Sequence, residues 1–154
     1  MQTLPLCSTN NLDFQSTTGC HVDGHIAVHG HTHVVGVLDR PLTGRVADVV
    51  VATHCAAEAV HRMLRPGIKS EALTHMIETI AAYFRCKPVA SNYICSMKRF
   101  VLEADKIALN AISDDAPPSF KVEEGDVYNV DIMLSTGSGH VKEKGARPTG
   151  MAIQ

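Results

Sequence analysis

The stretch TTGCHVDGHIAVHGHTHVVGV, Thr17–Val37, decides the fold class. At its centre is Asp23-Gly24, flanked by two β-prone runs, which is the strongest short-range signal for a two-residue hairpin loop. The pattern predicts strands over Thr17–Val22 and His25–Val37. A two-residue loop fixes the register, so Val22 must face His25 and Gly19 must face Val28. One face of the hairpin then carries Thr17, Gly19, His21, Ile26, Val28, Gly30 and Thr32. The other carries Thr18, Cys20, Val22, His25, Ala27, His29, His31 and His33.

Downstream, after a turn at Pro41, Gly44–Arg65 has helical periodicity, with Val46, Val50, Ala57, Val60 and Leu64 on one stripe and Pro66-Gly67 as the stop. Ser70 is expected to cap a second helix in which Leu73, Ile77, Ile80 and Phe84 recur at helical spacing, ending at Lys87-Pro88. A strand is expected near Val89–Ile94, while Ser96–Ala111 fits strand and helix alike. Asp114–Pro118 has loop chemistry. Val127–Leu134 should be a strand, entered from Glu124-Gly125-Asp126 and left through the glycine-rich Ser135–Gly139. Upstream of the hairpin, residues 1–16 are polar and turn-rich, with weak strand character around Asp13–Ser16. A hairpin, two helices and then further strands make an α+β chain, with an antiparallel sheet and both helices packed on one of its faces.

The 154 residues suffice for one domain with a core, and 45% hydrophobic against 19% charged residues argues against a disordered chain. A net charge of −2 gives no bulk electrostatic reason to bind nucleic acid. Five cysteines without a CxxC pair suit a reduced intracellular protein. No basic-then-apolar leader opens the sequence, and no run approaches the roughly 20 apolar residues of a spanning helix, so no membrane partner is expected.

Three segments together resemble the methionine-aminopeptidase-like, or pita-bread, superfamily: GCHVDGHIA at Gly19–Ala27, TGRVADVVVATHCAAEAVHRMLRPG at Thr43–Gly67, and GDVYNVDIMLSTGSG at Gly125–Gly139. The HVDG hairpin, the TGR-A-DV helix start and the VY-VD strand are most similar to its proliferation-associated, growth-factor-receptor-binding branch, whose members are not peptidases. The resemblance spans about Thr17 to Arg147. It implies that residues 17–154 form a partial pita-bread domain lacking the family's C-terminal half, preceded by a variable segment 1–16. It also implies a cytoplasmic protein, with the nucleus as a second location, whose partners are proteins and the ribosome or RNA.

The family's enzymes hold two metal ions with two Asp, one His and two Glu, because a metal pair needs bridging carboxylates to offset its charge and to generate a bound hydroxide. Carried over by resemblance, the two hairpin Asp positions fall on Thr17 and Val28, the His on Cys95 and the first Glu on Asp131, with the second beyond Gln154. Only Asp131 retains a carboxylate, so the expectation is a chain without catalysis or cofactor, acting as a binding or scaffold domain. The rival expectations are a peptidase with an altered ligand set and a truncated product without independent function. On the hairpin's other face, the default for the histidine ladder is a solvated strand surface. The sharper alternative is a zinc site at Cys20, His29 and His31, whose weak point is the long reach from Cys20 to His31.

Overall fold

The structure, a computed structural model, describes residues 13–34 and 41–141. Strands β1 (Asp13–Val22) and β2 (His25–Val34) form the antiparallel hairpin in the expected register, from Val22 opposite His25 to Asp13 opposite Val34. Asp23 and Gly24 have φ of 51° and 82°, the left-handed pair that a hairpin loop with the right twist requires. β1 starts at Asp13, four residues earlier than expected, and the predicted tail of β2 at 35–37 lies outside the described residues.

The hairpin is a two-stranded sheet of its own, tied to the body at its tip. The Phe100 N–H donates to the Gly24 carbonyl at 2.8 Å, and Arg99 Nε donates to the Asp23 carbonyl at 2.7 Å. The Phe100 ring lies so close that a Cβ on Gly24 would come within 2.3 Å of it.

Helix α1 spans Gly44–Met63 and α2 spans Ser70–Tyr83. The buried stripe of α1 is Ala52, Ala56 and Val60, not the predicted run through Val46 and Val50; Val50 is exposed. Three consecutive valines at 49–51 left the phase ambiguous, and the alanine edge proved to be the one that packs. In α2, Leu73, Ile77 and Ala81 are buried, while Ile80 is only partly covered. Ser70 does not cap: Lys69 is the cap residue, and Ser70 is the first helical residue. Its Oγ instead accepts from the Phe120 N–H at 3.2 Å and lies 3.3 Å from Ser119 Oγ.

Helix α2 stops four residues before Lys87. Arg85 takes the left-handed conformation at φ 55°, with Cys86 N–H bonded to the Ala81 carbonyl at 2.8 Å and Arg85 N–H to the Ala82 carbonyl at 3.0 Å. This is a Schellman termination with arginine where glycine is usual, so composition does not announce it. The Arg45 guanidinium satisfies the Arg85 carbonyl at 2.9 Å and reaches the Thr136 carbonyl at 3.1 Å.

The remaining strands are short and antiparallel. β3 (Lys87–Pro88) pairs with β7 (Leu134–Ser135), and β4 (Tyr93–Met97) lies between β5 (Ile107–Leu109) and β6 (Val127–Val130). Among the described residues the single predicted sheet is therefore three small ones. The predicted strand Val89–Ile94 is displaced onto β3 and β4, Val127–Leu134 is divided between β6 and β7, and Ser96–Ala111 resolves as strand and loop. Ile94 and Ala108 face the helices and join Ala52, Val60, Leu73, Ile77, Ala81, Cys86 and Leu134 in one core, with Tyr128 and Val130 packed against it. Each large apolar side chain buried there is worth about 1.5–3 kcal/mol. No helix among the described residues is long and apolar enough to cross a membrane.

An ion cluster fastens the end of the β4–β5 loop to the start of β6. Lys106 Nζ lies 2.7 Å from Asp126 Oδ2 and 2.8 Å from Glu123 Oε2, and Tyr128 donates to Asp126 at 2.8 Å. Lys106 pulls the Asp126 carboxyl down to about 2, while burial and then Asp126 push Tyr128 up to about 12.

Two outcomes follow from this framework. Asp126 is depressed below its unfolded value of about 3.9, so its stabilisation is complete above that pH and is lost as pH falls toward 2. Asp126→Asn should flatten the acid limb of unfolding free energy between pH 4 and 2, and an unchanged slope would exclude the pairing. Gly139 has φ 80°, and an added Cβ would sit 2.5 Å from the Pro88 carbonyl oxygen, whereas Gly67 at φ 94° meets nothing within 4 Å. Gly139→Ala should cost at least about 2 kcal/mol in urea unfolding, left-handed strain plus overpacking, and Gly67→Ala only about 1–2 kcal/mol from strain. Equal losses would contradict the close approach.

Candidate functional site

Because β4 alternates, Ile94 and Ser96 point to one face and Tyr93, Cys95 and Met97 to the other. Cys95 pairs with Asn129 on β6 and Ile107 on β5, so the face turned away from the helices carries Cys95 and Asn129, with Asp131 two residues farther on. This face is not open at Cys95, which is 1% exposed. The chain after β4 folds back over it: the Ala104 N–H bonds the Ser96 carbonyl at 2.8 Å, and Cys95 Sγ lies 3.8 Å from the Leu102 carbonyl.

Asp131 sits just past β6, held by two asparagines. Asn92 Nδ2 donates to its Oδ2 at 3.0 Å, and Asn110 Nδ2 donates to its backbone carbonyl at 2.7 Å. The Asn110 N–H in turn donates to the Asn92 carbonyl at 3.0 Å, closing a ring of three residues from three separate segments. Asn110 is fully buried, and its Oδ1 has no partner among the described residues.

The electrostatics of the face run against charge. The surrounding protein raises the Asp131 carboxyl above the ordinary carboxylate range although the residue keeps solvent contact, and the Asn92 hydrogen bond opposes this more weakly. Burial raises the Cys95 thiol, with Glu103 adding to the effect, Asn129 opposing it and Asp131 contributing last. The Glu103 carboxylate holds the Tyr93 hydroxyl above the usual phenol range, with burial second. The surroundings of Cys95 thus favour its neutral thiol over the thiolate.

The four positions carried over by resemblance fall in two places. Cys95 and Asp131 belong to the face just described. Thr17 and Val28 lie on the hairpin, opposite Gly30 and Gly19 respectively, on the same face of neighbouring strands as expected. Val28 offers no donor atom, Thr17 offers a neutral hydroxyl, and Asp131 is the single carboxylate of the four. These side chains do not fit a pair of divalent ions, which needs several anionic oxygens at bridging distance. Nor are Cys20, His29 and His31 gathered: Cys20 pairs with Ala27, four residues from His31, and the described residues contain no group of three or more His, Cys, Asp or Glu side chains placed to hold one ion.

Asn92, Asn110, Tyr93 and Glu103 were not picked out in sequence. The one available signal was asparagine beside β-prone residues at 92, 110 and 129, which is weak because asparagine is equally at home in turns.

Asp131→Asn tests the electrostatics. The folded carboxyl is raised, so as pH climbs past about 3.9 the unfolded chain ionises first and stability falls until the folded group follows. The neutral isostere should leave Tm at pH 7 equal or higher and reduce that loss. A clear drop in Tm at pH 7 would show that the charge itself is needed.

No family model matches the chain. It is 44% identical over 125 residues to the potato (Solanum tuberosum) protein named ErbB-3 binding protein 1, covering 80% of this chain and 32% of that one. It is 37% identical over 133 residues to proliferation-associated protein A of Dictyostelium discoideum, covering 85% and 34%. Among solved structures it superposes on the methionine aminopeptidase of Rickettsia prowazekii with a TM-score of 0.68 at 18% identity, covering 84% of this chain and 49% of that one. The chain thus spans about a third of the length of these two curated relatives. The chain belongs to the methionine-aminopeptidase-like, pita-bread superfamily, alongside proteins named ErbB-3 binding protein 1, proliferation-associated protein and methionine aminopeptidase.

Proposed function

We propose that this chain is a non-catalytic pita-bread domain that works as a binding or scaffold element, within a larger domain of which residues 17–154 are a part. The observation that carries this is the donor set: an apolar Val28, a hydroxyl at Thr17, a buried thiol at Cys95 and one carboxylate at Asp131, tied by Asn92. Hydrolysis of a peptide bond by a two-metal site requires a generated hydroxide and a polarised carbonyl, and a single carboxylate among these four positions falls short of the several anionic ligands that hold a metal pair. Relatives named for binding and for proliferation rather than for peptide cleavage support the same reading. The ribosome or RNA is the proposed partner. With a net charge of −2, contact with RNA would rest on local groups rather than on the chain's overall field.

The purified chain should show no turnover of Met-led peptides with added Co²⁺, Mn²⁺ or Zn²⁺, and Asp131→Ala should leave that baseline unchanged. Turnover that vanishes in Asp131→Ala with the far-UV circular dichroism intact would overturn the proposal. Co-sedimentation with ribosomes on a sucrose gradient tests the binding half.

A further inference from the structure

We propose that His31 and His33, on the exposed face of β2, form a two-imidazole chelate for a borderline divalent transition-metal ion such as Zn²⁺ or Ni²⁺. The residues are i and i+2 on one strand, so their side chains leave the same face with origins about 7 Å apart. Their rings have converged: the centroids are 4.5 Å apart, with planes inclined by 73°. A Zn–N bond of about 2.0–2.1 Å puts each ring centroid about 3.2 Å from the ion, so imidazoles in adjacent coordination positions have centroids about 4.5–5.2 Å apart. The His31–His33 separation falls in that window.

The neighbouring candidates fall outside it. His29 stacks on His31 at 6.4 Å with planes 9° apart, too far for an adjacent position without a change of rotamer. Cys20 lies opposite Ala27, and the four-residue offset to His31 is about 14 Å along the strand. Across the hairpin from His31 is Ser16, whose hydroxyl donates to the His31 backbone carbonyl at 3.4 Å.

From Thr18 to His33 this face carries no Asp or Glu, so two nitrogens are the protein's donors and water completes the shell. Two neutral nitrogen donors suit zinc, nickel and copper, whereas calcium and magnesium demand oxygen. The pair lies on the opposite face of the hairpin from Thr17 and Val28, so it is independent of the family's metal positions and of the non-catalytic reading.

Isothermal titration of the full chain with Zn²⁺ and with Ni²⁺ tests the pair. His31→Ala and His33→Ala should each weaken binding at least tenfold, Cys20→Ser should change it less than twofold, and Mg²⁺ should not bind. On Zn²⁺ addition to the wild type, NMR should show the His31 and His33 ring protons shifting before those of the other histidines. Wild-type affinity retained in His31→Ala/His33→Ala, a loss in Cys20→Ser as large as in His31→Ala, or no saturable binding by the wild type would each overturn the proposal.

Discussion

The alanine edge of α1 is the constraint on which the rest is built. Ala52 is fully buried and fills little volume, and it shares one core with Leu73 and Ile77 from α2 and Ile94 from β4. Interiors tolerate no voids, so these three side chains have one arrangement that fills the gap, and Ile94 is thereby committed to the helix side. With a side-chain period of two, that commitment sends Cys95 and its partner Asn129 to the other side. The polar face is thus a consequence of how the core packs, one residue out of phase with it.

Two carboxylates close together in sequence show what that face does to charge. Asp126, beside Lys106, is pulled down to about 2, whereas Asp131, five residues later, is pushed upward by burial against the opposing Asn92 hydrogen bond. Asp126 has a cation beside it that favours its ionised form, whereas at Asp131 burial outweighs the opposing Asn92 hydrogen bond. Cys95 shifts in the same sense, toward its neutral form. The ring of Asn92, Asn110 and Asp131 joins three chain segments through amide hydrogen bonds. Such a ring suits a structural tie between three chain segments better than a reactive centre.

The hairpin stands in a different energetic position. Among the described residues its two strands pair only with each other, and the clasp of Phe100 and Arg99 on the Asp23-Gly24 turn ties it to the body. Phe100 adopts φ 62°, uncommon for a bulky residue, while its ring occupies the space that a side chain at Gly24 would take. Strain at one residue is offset by the fit at another, and the clasp leaves His31 and His33 exposed on β2.

By itself the sequence determined the hairpin and its entire register, because a two-residue Asp-Gly loop leaves the flanking strands one way to pair and the sterics involved are all local. It determined both helices and the Pro66-Gly67 break between them for the same reason. The tertiary structure decided which edge of α1 packs, since valine and alanine stripes are equally apolar until a partner surface selects one. It decided the end of α2, where the surroundings hold Arg85 in a conformation its own side chain disfavours, and the role of Ser70, drawn away from capping by Ser119 and Phe120 fifty residues on. It also brought Asn92, Asn110 and Asp131 together, because meetings between distant segments are settled by packing, which no local pattern encodes.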